Sequence, residues 1–477
     1  METMQLLTLG LAAVFLLAVF EQNTRRTRAR PALRRLIIEV SDPQVARRAL
    51  FDHADAFSSR PFTPFPVAFI AERRRGGRRR GHTITTVPYG PHWRALRCNL
   101  NDVILHPLRH CLLAPLQQAA IDSLVAALSA QAQAGRVVAV RDWLHDAMFS
   151  LVARLCFGDG VDARDVRSIQ HLLKEFLSFI AVVEAKGLAH SRLARLLYWR
   201  RWRRFVATRD HLAALFLPLI EKSRSRRSGG VHRPYVDGLL DVRVPSDDGE
   251  AGIDVQRALT DDELVNLVWE FLHTAADTVV NCLEWTLAHL VSHPDAQEKL
   301  FREVTSDEGD GAAAEERLRG MPYLRAVVLE SLRLHPPVAT LTREVRAAGA
   351  MVGGTAVPPG GAMVNIKIGL IGRDSSSWTE PDEFRPERFL AGGEGEDVGP
   401  VPGTKKIRMM PFGAGRRSCP GMALGMLHVK CFLTALVREF EWAPPANGGV
   451  DLTELDGFFK VLKTPLTARI TPRRRSP

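Results

Sequence analysis

The sequence predicts a mainly helical chain, and three stretches carry that prediction. "TDDELVNLVWEFLHTAADTVVNCLEWTLAHLVSHP" keeps helical patterning to about Val291, and "YLRAVVLESLRLHPP" is apolar on several sides of a helix that stops at His335-Pro336-Pro337. The residues after Gly421 place Leu424, Leu427, Cys431 and Ala435 on one stripe of a third helix. No repeat of fixed period runs through the 477 residues, which by length alone admit two or three domains.

The first stretch opens on Thr260 and Glu263, a capping-box signature. At about 1.5 Å per residue the helix spans about 45 Å, long enough to cross a domain. In its middle, Asp277-Thr278 sets an acid beside a hydroxyl among apolar side chains. Packing accounts for a satisfied acid at an interface, and such a pair also suits proton transfer. In the second stretch Glu330 and Arg333 lie one turn apart. On a surface such a pair contributes little. Here Leu324, Val327, Val328, Leu329 and Leu332 surround it, so burial and further partners are expected.

Ahead of the third helix lies "PFGAGRRSCPGMALG", Pro411 to Gly425. The six cysteines, Cys98, Cys111, Cys156, Cys282, Cys419 and Cys431, contain no C-x-x-C pair of the kind zinc or dithiol redox chemistry uses. An isolated cysteine beside a helix is ordinarily a small buried hydrophobe. Cys419 has different surroundings. Gly413, Gly415 and Gly421 let the backbone turn tightly or approach a flat partner, and Pro420 suits a first helical turn. A sulfur at a helix N-terminus faces unpaired N–H groups and the positive end of the dipole, which favours thiolate, a soft-metal ligand.

Phe412, Gly415, Arg417, Cys419 and Gly421 spell F-x-x-G-x-R-x-C-x-G, which resembles the haem-binding loop of the cytochrome P-450 superfamily. The resemblance implies that Cys419 ligates the iron of haem b, with Phe412 in the cofactor loop and Arg417 facing a propionate. It extends upstream. Arg388 in "FRPERF" matches the arginine that joins the Glu330–Arg333 pair in a structural triad, and "WRALR" supplies Trp93 and Arg97, which in the family meet haem propionates. Arg343 in "LTREV" is a third propionate contact by the same resemblance. The match runs from Leu36 to Ile470 and is nearest to plant microsomal members, among them family eighty-nine. It implies one large domain, mainly α with small β-sheets, behind an N-terminal membrane anchor.

The implied activity is that of a haem-thiolate monooxygenase, which inserts one atom of dioxygen into a small hydrophobic metabolite and reduces the other to water. Asp277 and Thr278 match the acid–alcohol pair that relays protons during oxygen activation. Where relatives usually read A-G-x-D-T-T, this chain reads Thr274-Ala275-Ala276-Asp277-Thr278-Val279, adding a methyl near the oxygen groove and removing a second hydroxyl. No flavin or nicotinamide fingerprint is present, so electrons from NADPH must arrive through a separate NADPH-cytochrome reductase. Two alternatives remain open: a haem-binding but impaired relative, and a haem-thiolate enzyme that rearranges its substrate without a reductase. Enzymes of the latter kind generally lose the acid–alcohol pair.

Residues 1–20 read as the anchor, 21–35 as a basic linker and 36–477 as the catalytic domain. Leu6 to Phe20 carries no charge, and counted from Met1 it approaches the roughly 17–25 residues that span a bilayer. Met1-Glu2-Thr3 and Ala18-Val19-Phe20 lack the basic start and cleavage site of a signal peptide. The arginines from Arg25 to Arg35 keep the rest cytosolic, at the endoplasmic reticulum. The proline-rich hinge, first helix and first strand usual in microsomal members are expected to be missing before Leu36, which bears on folding yield and haem retention. The net charge of +11 and pI near 9.7 suit docking of an acidic reductase, with Lys405, Lys406, Arg408 and Arg416 near the cysteine loop. "AERRRGGRRRGH" reads as a solvated loop near the substrate pocket and not as a nucleic-acid site, for no recognised module surrounds it. "YWRRWRRF", Tyr198 to Phe205, fits either a membrane-surface helix or a basic helix burying its aromatics.

Overall fold

The computed structural model describes residues 36–473, apart from 61–82, 186–195, 226–232, 247–255, 307–313, 346–348, 359–361 and the single positions 404, 447, 456 and 458. The expected anchor and linker, and the whole arginine-rich 71–82 stretch, lie outside the described residues. The longer helices are α1 (Pro91–Leu100), α2 (Pro107–Gln133), α3 (Val140–Phe157), α4 (Ala163–Ala185), α5 (Trp199–Ser225), α6 (Asp261–Ser292), α7 (Pro294–Ser306), α8 (Pro322–Leu334) and α9 (Met422–Glu439).

Helix α6 begins where the capping box requires. The Thr260 hydroxyl accepts from the Glu263 N–H, and the Glu263 carboxylate accepts from the Thr260 N–H at 2.8 Å. Residues 263–273 and 279–291 are buried on every side, as in a core helix packed all round, while Thr274, Ala275, Asp277 and Thr278 between them are exposed or half-buried. It runs along α3 and also packs on α8 and α9. Helix α9 differs from its sequence reading. His428, Val429, Phe432, Leu433, Leu436 and Val437 are buried as well as Leu424 and Ala435, while Leu427 and Cys431 are only half-buried. The predicted stripe is one part of a wider buried surface, because α2, α6, α7 and α8 all pack on α9. An 18-residue stretch of helix α2 has mean hydropathy 1.5, and the helix is long and apolar enough to cross a membrane by composition. It packs Leu113, Ile121, Leu124 and Leu128 into the core beside α3 and α9.

The sheets are small, as expected. Strand β1 (Leu36–Val40) pairs in parallel with Ala362–Lys367, and Thr340–Glu344 joins the latter antiparallel, in register Arg343↔Val364. Alternation along Ala362–Lys367 buries Ala362, Val364 and Ile366 in a second core with Leu50, Phe57, Ile407 and Met410.

The E-x-x-R pair is fully buried and has the expected third member. Glu330 accepts from Arg333 Nε at 2.7 Å and from Arg388 Nε at 2.9 Å. Of the other donors, Arg333 Nη1 reaches the Gly372 and Pro381 carbonyls, and Arg388 Nη1 reaches the Thr379 carbonyl and the Glu394 carboxylate. Trp378 stacks beneath both guanidiniums, and Arg408 lies 4.0 Å from its ring centre. These contacts fix the segment that leads into the cysteine loop.

Candidate functional site

The loop before α9 owes its path to two glycines. Gly413 and Gly415 adopt φ of +71° and +69°, and a Cβ on Gly415 would sit 2.4 Å from the Leu50 carbonyl oxygen. Gly421 has an ordinary φ of −85° with open space around it, so the loop's own conformation does not demand glycine there. Pro420 precedes the helix, which starts at Met422, instead of occupying its first turn. The Cys419 N–H donates to the Phe412 carbonyl at 2.8 Å, closing the loop and leaving the thiol exposed. Burial of the surroundings pushes that thiol up, against the Gly421 N–H and the Arg97 and Arg60 guanidiniums. The start of the helix and the nearby cations thus favour the thiolate, and burial opposes it. A coordinated cation deprotonates such a thiol outright.

Around Cys419 the protein gathers cations. Arg97 Nη1 donates to the Ser418 carbonyl at 2.9 Å. Arg417 spends three donors on the Ser58, Ile84 and Val87 carbonyls and stacks 5.0 Å from the Trp93 ring centre, so it ties three segments together at the loop. Arg343 is 1% exposed, and its Nη2 has no hydrogen-bond partner. Burial, with repulsion from Arg60 and Arg417, pulls the Arg343 guanidinium down to about 9. The buried Trp93 Nε1 is likewise unpaired. A buried cation without its anion and an unpaired indole N–H are costly in a polypeptide alone. The two propionates of a bound haem would satisfy both. Among the described residues no group of three or more His, Cys, Asp or Glu is placed to hold a metal ion. A metal at Cys419 must bring its other ligands with it, as porphyrin iron does.

The middle of α6 separates the two residues that sequence paired. Thr278 Oγ1 donates to the Thr274 carbonyl at 2.8 Å, and Thr274 shares its face one turn earlier. Asp277 turns away from it and binds His145 Nε2 at 2.9 Å and His273 Nδ1 at 2.6 Å. Burial pushes the Asp277 carboxyl up, but these two histidines outweigh it and hold the group well below the usual carboxylate range. No direct hydrogen bond joins Asp277 to Thr278. Ala275 is half-buried against the main core and Val279 is buried in it.

The cytochrome P450 family model matches residues 33–472. The chain belongs to the cytochrome P450 family. Cytochrome P450 89A9 of Arabidopsis thaliana is 34% identical over 445 residues, covering 92% of this chain and 84% of that protein. This agrees with the family-eighty-nine resemblance. Cytochrome P450 98A1 of Sorghum bicolor is 29% identical, covering 92% and 83%. Among solved structures, a zebrafish cytochrome P450 with abiraterone superposes with TM-score 0.70 at 23% identity, covering 92% of this chain and 94% of that one. That likeness confirms the P450 fold.

Within this P450, several residues escaped the sequence reading. Arg60 reaches the Cys419 region, where burial lowers its guanidinium and Glu270 and Cys419 oppose that shift. Nothing local distinguishes it among the 64 lysines and arginines. Glu270, one turn before Thr274, accepts the Ile84 and Thr85 N–H groups at 2.8 Å and pins the loop that Arg417 also holds. Two residues expected on the reductase-docking face have other partners: Arg408 stacks on Trp378, and Arg416 pairs with Asp55. Lys405 and Lys406 remain exposed. "YWRRWRRF" splits, with Phe205 buried against Phe176 and Trp199 exposed beneath Arg200 and Arg203.

Proposed function

We propose that this P450 is a membrane-anchored monooxygenase that oxidises a small hydrophobic metabolite with O2 and electrons from an NADPH-cytochrome reductase. The observation that carries the reading is the Cys419 loop, together with the buried Arg343 Nη2 and Trp93 indole N–H, which lack hydrogen-bond partners. Cys419 would ligate the iron, and Trp93, Arg343, Arg97 and Arg417 would hold the propionate edge. When bound, haem supplies the activation of dioxygen and the transfer of oxygen to substrate. Thr278 would hold a proton-bearing water in the distal groove, and Asp277 would recharge it. Exposed Lys405 and Lys406 suit an acidic reductase. Residues 1–20 would keep the protein on the endoplasmic-reticulum membrane with its catalytic domain in the cytosol.

Purified full-length protein should give the red-shifted Soret band of a thiolate-ligated ferrous CO complex, and Cys419→Ala should lose it. Reductase-dependent product formation from one member of a plant-metabolite panel then establishes monooxygenation. An unchanged band in Cys419→Ala overturns the ligand assignment. A normal band with turnover that needs no reductase favours the rearranging alternative.

A further inference from the structure

Asp277 stands at the end of a hydrogen-bonded chain that crosses three helices. Gln170, on α4, donates through its single amide nitrogen to Asp146 Oδ1 at 2.6 Å and to His145 Nδ1 at 2.8 Å. The amide cannot be reversed without setting its oxygen against the Asp146 carboxylate. His145 Nδ1 is therefore an acceptor, and the ring's proton sits on Nε2, where it is donated to Asp277 Oδ1. His145 stacks nearly parallel on Phe149, with ring centres 5.8 Å apart, so its plane is fixed as well. On the other side His273 stacks on Trp269 and contacts Phe459. A small cavity of about 40 Å³ opens beside this cluster, lined by Phe149, Leu173 and Leu272 together with His145, His273 and Asp277.

We propose that His145, locked in its Nε2–H tautomer by Gln170 and Asp146, is the positioning residue for Asp277 in proton delivery. The inference rests on the monooxygenase reading above. Asp277 offers two oxygens, and both are engaged, so its orientation relative to Thr278 is set by these contacts and not by α6 alone. His145 is the fixed side of that grip because its other nitrogen is anchored to a second helix. His273, by contrast, forms no hydrogen bond other than that to Asp277 among the described residues. The charged groups facing His145 are Asp277 on α6, Asp142 and Asp146 on α3 and Lys174 on α4, with Lys174 3.9 Å from Asp142.

The test has two readouts. In the diamagnetic ferrous–CO form of full-length protein labelled with 15N-histidine, the ring resonances that vanish in His145→Gln should report a neutral Nε2–H ring. A neutral Nδ1–H ring there overturns the proposal whether or not the enzyme turns over. Gln170→Glu, which places an acceptor against Nδ1 and a second carboxylate beside Asp146, should shift those same resonances; unmoved resonances contradict the lock. In reductase-driven assays His145→Ala should lower kcat and product formed per NADPH by about tenfold or more with KM unchanged. His145→Gln, which keeps a donor at the Nε2 position, should recover most of that loss. Equal losses in both variants, or loss appearing in KM, refute a positioning role. Wild-type protein with the expected tautomer but no reductase-driven turnover defeats the monooxygenase reading and leaves the Gln170 lock standing.

Discussion

Glu330→Gln is the most demanding test of the fold beneath the site. The substitution keeps the shape but removes one charge that faces two buried guanidiniums and turns one acceptor oxygen into a donor against their N–H groups. In the native protein Glu330 accepts from Arg333 Nε at 2.7 Å, Arg333 Nη2 at 2.9 Å, Arg388 Nε at 2.9 Å and the Arg385 N–H at 2.8 Å. Breaking a buried pair by removing one partner costs about 3–5 kcal/mol, because the remaining charge is left uncompensated; here that charge is Arg333, since Arg388 keeps Glu394. Unfolding entropy of about 2.1 cal/mol/K per residue gives a chain of this length about 1 kcal/mol/K, so the melting temperature should fall by about 3–5 °C. Glu298→Gln is the control. Glu298 pairs with Arg302 and Arg473 at distances of 3.1 and 3.2 Å while 42% exposed, and screening keeps such pairs within about 1 kcal/mol. Scanning calorimetry of both variants at neutral pH decides the matter. A drop in Glu330→Gln no larger than in the control would refute the claim that the triad is an energetically closed buried network.

Other expectations follow from single features of the site. Gly415→Ala should cost about 1–3 kcal/mol in apoprotein unfolding, from its φ of +69° and the Leu50 carbonyl, whereas Gly421→Ala should leave the midpoint unchanged. Arg343→Met should raise the apoprotein's midpoint, by removing a buried cation that lacks an anion, while weakening haem retention in a haem-transfer assay. Asp277 contributes stability that is fully present above its unfolded value of about 3.9 and is lost as pH falls toward the lower folded value. Asp277→Asn should therefore be less stable than wild type at pH 6, with the gap closing as pH drops below about 4 in denaturant titrations.

The sequence by itself determined what short-range chemistry controls. A capping box closes within four residues, so Thr260 and Glu263 announced the start of α6 correctly. The Cys419 loop and the Glu330–Arg333 turn were equally legible, since each is spelled within about a dozen positions. Arg388 was found only because a family pattern connects it to a pair far upstream. The tertiary structure decided what depends on distant partners. Asp277 meets His145 across 132 residues of chain, and Arg417 meets Ile84 across 333, so no local period records either contact. Sequence adjacency made Asp277 and Thr278 a pair, but consecutive helix positions point about 100° apart, and packing against α3 drew the acid away from the hydroxyl. Charge counting behaved the same way. Arg408 and Lys406 look alike in the sequence, yet one stacks on Trp378 and the other is exposed, because an arginine's plane finds an aromatic face only once the fold supplies one.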